Sequence, residues 1–405
     1  MKNYINFNFH MYTENVFGKD TENRTGEMVK KYGGSKVLIV YGGGSVKRSG
    51  LFDRVTASLD KAGIKYTEFG GVKANPTRSL AYKAIEFAKK EKIDFVLGLG
   101  GGSAIDTAKV VALAMVYDGD VWDLFSGWDN YSVKLLPAKM MPVGTIHTLS
   151  STGTENSGAV VIVDDVAEIQ KKVGTMWPDV ARPVFAIMNP ELTYSVPVYQ
   201  KAAGAVDAFS HTLERYFQHN TCSLADEFSF ALLRNVIKYG KATIDNPTDY
   251  ESHAEMMLNA SFAHNDVTGL GRTPGGYSVH GLEVTLSGRF DTTHGAGIGL
   301  IIPPWLTYIV NHSSLEDAMR VAQLAVQVFG VMVDMSDPRR VALEGIQRIR
   351  EWLRSLGMPL TLTELGVKNS PEDLAKYARN NSEGILPGFL HLDKKAVTEI
   401  FASIK

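Results

Sequence analysis

Apolar and polar positions along the first half of the chain switch repeatedly between two periods. In KVLIVYGGGSVKRSGLFDRVTASLDKAG a β-branched apolar run ends in glycines, and apolar positions then recur three and four apart. That pattern predicts a strand, a turn and an amphipathic helix, with IKYTEFGGV returning as the next strand. SLAYKAIEFAKKEK reads as a helix, IDFVLGLGGGS as a strand buried on both faces, and AIDTAKVVALAMVY as the helix that follows it. Strand and helix in alternation imply a parallel α/β layer.

From about Ala202 the period becomes helical throughout, as in SLADEFSFALLRNVIKYGKATID, HAEMMLNASFAHN and LEDAMRVAQLAVQVFG. Pro190 and Pro197 in MNPELTYSVPVYQ interrupt both periods and mark the boundary. The chain therefore divides into an α/β domain over residues 1–192 and an all-helical domain over residues 193–405. A length of 405 residues, more than one usual core, agrees with two domains of roughly 150–200 residues each.

Composition narrows the function. The net charge is −2, from 42 basic and 44 acidic residues spread evenly, so no basic face points to nucleic acid or an anionic membrane. A single cysteine, Cys222, forms no internal disulfide or thiolate cluster and fits a reducing compartment. The first residues lack both a long apolar core and an arginine-rich amphipathic pattern, and no apolar run reaches the length of a membrane span. The expectation is a cytoplasmic protein with a small-molecule substrate and neither nucleic-acid nor membrane partners.

Asp207, His211, His280 and His294 are the candidate metal ligands. In GAVDAFSHTLERY the carboxylate and the first imidazole are four residues apart, which a helix places on one face. The other two histidines lie in SVHGLEVTLSGRFDTTHG. In a chain with ten histidines such a pair also arises by chance, and a lone histidine near a helix commonly caps it or faces solvent. Three imidazoles with one carboxylate suit a borderline divalent ion, iron(II), zinc or manganese, and can leave positions open for a substrate oxygen.

Two glycine turns follow strands: Gly42-Gly43-Gly44-Ser45 and Gly100-Gly101-Gly102-Ser103. Glycines allow close approach of a phosphate, and a helix N-terminus adds unpaired N–H groups, so a dinucleotide pyrophosphate fits. Each turn alone is equally a tight strand-to-helix connection. Neither matches the full GxGxxG fingerprint with an acidic residue about twenty positions on.

GGGSAIDTAK, STGTEN, NPELTYSVP, GAVDAFSHTLERY and TTHGAG stand in one order along the chain, and in that order they resemble the iron-containing alcohol dehydrogenases, most closely the butanol dehydrogenase and NADPH-dependent aldehyde reductase branch. The resemblance runs from about residue 5 to the C-terminus. It implies a Rossmann-like N-terminal domain, a helical C-terminal domain, the fold shared with dehydroquinate synthase, and commonly a homodimer. It also implies a divalent metal, iron(II) favoured over zinc and manganese, held by the same four residues, with His280, His294 and Glu283 in the catalytic set. Around the cofactor it implicates Asn75, Gly101, Gly102, Ser103, Asp106, Thr148, Leu149, Ser157, Lys172 and Leu192. Asp106 and Lys109 read equally as a helix-start carboxylate and a solvated lysine.

Many relatives carry an aspartate at the first turn that binds the adenine ribose. Here it is glycine, with Lys47 and Arg48 nearby, so NADP(H) is favoured and NAD(H) remains open, while the two cations read equally as a solvated helix start. The implied activity is metal-dependent hydride exchange between a nicotinamide and small aldehydes or primary alcohols. Two departures stand out. Relatives often have His-x-x-Glu-His where this chain has His280-Gly281-Leu282-Glu283-Val284, so a proton-relaying histidine is absent and ribose hydroxyls, water or another group must serve. Glu283 then reads either as a catalytic carboxylate or as one supporting a ligand. Asn189 stands where aspartate is usual, with an effect expected only in the turn. His147 reads as a loop histidine satisfied by backbone. The alternatives are a non-redox lyase of the dehydroquinate synthase type, which would need several cations near His280 where mainly Arg272 and Arg289 are found, and a non-catalytic nucleotide-binding protein.

Overall fold

The structure, a computed structural model, describes residues 5–220, 222–273 and 276–405. Two compact units emerge. One comprises His10–Val196 together with Thr248–Asn265, and the other comprises the segment ending at Phe9, Pro197–Pro247 and Asp266–Lys405.

The first unit runs β1 (Glu14–Phe17), α1 (Thr25–Lys31), β2 (Lys36–Tyr41), α2 (Ser45–Arg48), α3 (Leu51–Ala62), β3 (Lys65–Phe69), α4 (Arg78–Glu91), β4 (Phe95–Gly100), α5 (Gly102–Ala114), β5 (Val143–His147), β6 (Ala159–Asp164), β7 (Lys171–Met176) and β8 (Phe185–Met188). Six strands form one parallel sheet in the order β1-β8-β5-β4-β2-β3, and β6 and β7 form a separate antiparallel hairpin. Side chains of β2 and β4 alternate between two cores. Val37, Ile39, Phe95 and Leu97 pack with Met28 of α1 and Val55 and Leu59 of α3, whereas Leu38, Val40 and Val96 pack with Ala81 and Ala84 of α4 and Ala108 and Val111 of α5. Burial on both faces explains why these strands read as continuous apolar runs. Gly98 of β4 lies against α5, where a Cβ would come within 3.1 Å of the Ile105 Cα.

Strand order reverses at β2. The chain goes from β2 outward to β3, then to β4 on the other side of β2. The carboxyl ends of β2 and β4 therefore flank a topological switch point, the usual ligand crevice of such sheets, and both glycine turns lie there.

The rest of the chain is helical: α6 (Val198–Tyr216), α7 (Ser223–Asp245), α8 (Tyr250–His264), α9 (Ser278–Phe290), α10 (His294–His312), α11 (Leu315–Phe329), α12 (Pro338–Ser355), α13 (Leu362–Leu365), α14 (Pro371–Ala375) and α15 (Lys394–Ala402). None of the described helices is long and apolar enough to cross a membrane. The division differs from the expected 192/193 cut in that α8 clusters with the α/β unit. Its Ser261 hydroxyl donates to Glu155, His264 Nδ1 lies 2.7 Å from the Thr152 carbonyl, and Met257 packs on Ala186 and Met188. These contacts are long-range, and a helical period cannot announce them.

Asn189 does more than shape a turn. Its Oδ1 accepts from the Glu191 N–H at 3.1 Å, while its Nδ2 donates to Glu22 Oε2 at 2.9 Å, and both residues are buried. Glu22 also accepts from Arg54 Nε at 2.8 Å. An aspartate at 189 could cap the turn but would remove a donor and set two buried carboxylates together. Asn189→Asp should therefore destabilise the protein by about 1–3 kcal/mol, read as a lower midpoint in denaturant melts at neutral pH, with partial recovery as the pH is lowered.

Candidate metal centre and dinucleotide loops

Helix α6 carries Asp207, His211 and Glu214 at spacings of four and three, one stripe along its face. Helix α9 carries His280 and Glu283, and His294 is the first residue of α10. Glycines let these helices close up. A Cβ at Gly295 would lie 2.0 Å from the Ala203 carbonyl of α6, and one at Gly297 would lie 2.8 Å from Glu283 Oε1 of α9.

The result is a convergence of donors on one carboxylate oxygen. Asp207 Oδ1 lies 3.6 Å from His211 Nε2, 3.7 Å from His280 Nε2 and 3.8 Å from His294 Nε2. Ligand atoms of Asp207, His280 and His294 all fall within 4.8 Å of one another. The His211 and His280 rings stack with centroids 4.8 Å apart.

Two further carboxylates hold the rings. His280 Nδ1 pairs with Glu214 Oε1, and His294 Nδ1 pairs with Glu283 Oε2. Each carboxylate is itself fixed: Ser210 donates to Glu214 at 3.0 Å, the Val279 N–H donates to it at 2.7 Å, and Ser287 donates to Glu283 at 3.0 Å. A proton on Nδ1 leaves the Nε2 lone pair turned toward Asp207, the arrangement that prepares imidazole for a cation. Among the described residues, buried His280 Nε2 has no hydrogen-bond partner. A divalent metal fits this donor set, in which Asp207, His280 and His294 offer ligand atoms within reach of one ion and His211 lies alongside.

The protein groups alone show the strain of this charge cluster. Burial by itself would raise the Asp207 carboxyl, but His211, His280 and His294 together hold it well below the usual range. Burial takes His211 down to about 3. His280 goes the other way, to about 9, because Glu214 and Asp207 outweigh its burial.

Glu283 is fully buried and bonded to His294 and Ser287, the geometry of a carboxylate that holds an imidazole in place. Glu214, its counterpart on His280, was missed, although its place on the Asp207–His211 stripe was there to be read. Val284 is half-buried one helical turn beyond His280.

In the α/β unit the expected cofactor residues fall mostly on strand ends. Gly42 and Gly43 follow β2, Gly44 has φ 95°, and Ser45 opens α2. A Cβ on Gly43 would meet nothing within 4 Å, so this turn borders open space. Gly101 precedes α5 with no side chain capping the helix, Gly102 abuts Thr152, and Ser103 lies on the first turn. Thr148 follows β5 and donates its N–H to the Gly100 carbonyl at 3.1 Å, and Leu149 lies over Gly101. Asn75, with φ 53°, accepts from Lys172 at 3.1 Å, so these two expected residues adjoin each other. Leu192 lies in the turn after β8 and packs on the sheet core. These strand-end glycines and the uncapped α5 N-terminus fit a pyrophosphate.

Asp106 and Ser157 sit differently. Asp106 is buried, accepting from the Thr154 hydroxyl at 2.6 Å and the Val161 N–H at 3.1 Å. Ser157 Oγ accepts from the Ala159 N–H at 3.2 Å. Lys109, far from a solvated lysine, is fully buried, and four oxygens of Thr154, Ser157 and Ala159 surround its Nζ at 2.7–2.9 Å. Burial pushes Lys109 down and Asp106 up, each opposed by the other's charge. The four oxygens are acceptors that favour the ammonium form against the burial. His147 is likewise no backbone-satisfied loop residue. It ends β5, fully buried, with Nδ1 3.5 Å from Glu155 Oε2 and no hydrogen bond at either ring nitrogen among the described residues.

Known proteins bear on both units. The sequence model described as iron-containing alcohol dehydrogenase matches residues 13–190, and that of the Fe-containing alcohol dehydrogenase family, C-terminal, matches residues 201–404. The chain is 38% identical to NADH-dependent butanol dehydrogenase A of Clostridium acetobutylicum over 98% of this chain and 99% of that one. It is 30% identical to the NADPH-dependent aldehyde reductase YqhD of Escherichia coli over 90% of each. The crystal structure of NADH-dependent butanol dehydrogenase A from Thermotoga maritima superposes with a TM-score of 0.92 at 34% identity, covering all of both chains. With both of its halves matched and full-length relatives at this identity, the chain belongs to the iron-containing alcohol dehydrogenase family.

Proposed function

We propose that this protein is a metal-dependent oxidoreductase that transfers hydride between NAD(P)H and small aldehydes or primary alcohols. The observation that carries the reading is the convergence of three imidazoles on Asp207, two of them held by their own carboxylates. A divalent metal bound there supplies Lewis-acid polarisation of a carbonyl or alcohol oxygen. Asp207, His211, His280 and His294 would hold it, while Glu214 and Glu283 fix the ring orientations. The strand-end turns Gly42–Ser45 and Gly101–Ser103, with Thr148, Leu149, Asn75 and Lys172, would seat the dinucleotide. Val284 offers no titratable group one turn beyond His280, so the substrate proton is left to ribose hydroxyls, water or another group.

The lyase alternative is not favoured. A sugar-phosphate substrate needs free cations, yet Arg272 is buried against Asp226, which Arg320 also grips, and donates to the Arg215 and Thr268 carbonyls. Arg289 lies over the Tyr377 ring at 3.3 Å. Retention of all four ligands argues against a non-catalytic role. A homodimer in the cytoplasm, without nucleic-acid or membrane partners, belongs to the same proposal, supported by the balanced charge and the one buried free cysteine.

Protein loaded with iron(II), zinc or manganese should oxidise NADH or NADPH when given butanal, followed by nicotinamide absorbance; no turnover with any of the three metals, despite dinucleotide binding, would overturn the redox reading. His280→Ala should lose bound metal and turnover together while its dinucleotide affinity stays within about twofold, as metal analysis and binding titration would report. Glu214→Gln, which retains all four ligands, should weaken metal affinity by about 10–100-fold in competition with a chelator.

A further inference from the structure

Helix α5 carries a lysine with no access to solvent, and the oxygens around it all belong to one short segment. Lys109 Nζ lies 2.7 Å from the Thr154 carbonyl, 2.8 Å from the Thr154 hydroxyl, 2.8 Å from the Ala159 carbonyl and 2.9 Å from the Ser157 carbonyl. The three protons of an ammonium are fully used by these acceptors. One turn earlier on α5, Asp106 accepts from the Thr154 hydroxyl at 2.6 Å and the Val161 N–H at 3.1 Å. Buried Arg182 donates to the Asn156 carbonyl and, through Nε, to the Pro178 carbonyl at 2.9 Å. The carbonyls of Thr154, Asn156, Ser157 and Ala159 are thus all gathered by buried cations.

The caged segment leads back to the second glycine turn. The Thr154 N–H donates to Thr152 Oγ1 at 3.4 Å, and Thr152 lies over Gly102, where a Cβ would come within 2.7 Å of that same oxygen. Gly102 opens α5, and Lys109 stands about two turns further along the helix. The segment is therefore pinned to α5 at two points, one at the turn expected to take a pyrophosphate and one at the buried ammonium.

An apolar side chain of similar length would fill the place of Lys109 without the cost of burying a charge. What lysine adds is a point charge with three rotatable donors, on which carbonyls that would otherwise repel one another converge; the planar fork of arginine does not match such a cage. We propose that Lys109 is a positioning residue for the dinucleotide, an internal cation that holds the Thr152–Thr154 stretch over Gly102 and so sets dinucleotide affinity without touching the cofactor. The inference rests on the dinucleotide reading above. Because the role lies in a charge at one point, a free ammonium ion in the vacated cage takes it over.

The test is the dissociation constant for NADH and for NADPH, measured by nicotinamide fluorescence titration on the unaltered protein and Lys109→Ala, in choline chloride and in ammonium chloride at equal ionic strength. Lys109→Ala should bind both dinucleotides about tenfold more weakly in choline chloride and return to within about threefold of the unaltered protein in ammonium chloride. Affinities within about twofold of the unaltered protein in choline chloride would overturn the positioning role. A loss that ammonium leaves untouched would overturn the part assigned to the charge, since a side chain that only fills space is not replaced by an ion. Thermal melts verify folding. Should Lys109→Ala melt below the assay temperature, Thr154→Val, which keeps the charge and removes one of its four acceptors, should bind both dinucleotides about threefold more weakly, and unchanged affinity in that variant would overturn the role. Failure of the unaltered protein to bind either dinucleotide would overturn the cofactor reading itself, and this role with it.

Discussion

The close approach of α10 to α6 and α9 is the constraint on which the metal centre depends. Gly295 brings backbone against the Ala203 carbonyl, and Gly297 leaves room for the Glu283 carboxylate. A methyl group at either place would push α10 outward by more than the slack in a hydrogen bond or a ligand sphere. The helix is otherwise apolar and buried almost throughout, so its position is set by packing, and His294 at its first residue inherits that precision. Ligand geometry here is a by-product of helix packing.

The charges follow from the same compression. Asp207, Glu214 and Glu283 are all buried, and buried carboxylates are tolerated only when paired. Each finds imidazole, and the imidazoles respond in opposite senses: His211 is forced neutral, while His280, between two carboxylates, is raised. Glu214 and Glu283 therefore have two jobs that cannot be separated. They fix ring orientation and compensate buried charge, and a divalent ion would complete the balance.

In the α/β unit a comparable interior network lies beneath the nucleotide loops. Lys109 gathers the carbonyls of Thr154, Ser157 and Ala159, Asp106 holds Thr154 and Val161, and Glu155 takes the Ser261 hydroxyl of α8. Asp106 and Lys109 of α5 hold the STGTEN segment against that helix. Asp106 and Ser157 could not be sorted from Gly101 and Ser103 by sequence, because side-chain direction at a helix start depends on what lies above it.

What the sequence determined by itself was periodicity and inventory. The β2, α3, β3, α4, β4 and α5 elements were legible because buried parallel strands and amphipathic helices write their periods locally. The Asp207, His211, His280 and His294 cluster was legible because such residues are few and two of them share a helix face. Short strands such as β8, the β6–β7 hairpin and the attachment of α8 to the α/β unit were not, since pairing and docking are long-range. Tertiary structure alone decided that Glu283 supports His294, that Glu214 supports His280, that Asn189 donates to Glu22, and that Lys47 belongs to Glu68. Each is a contact between charged or polar groups brought together by packing, and hydrogen-bond partners are assigned by distances of a few ångström that no local period encodes.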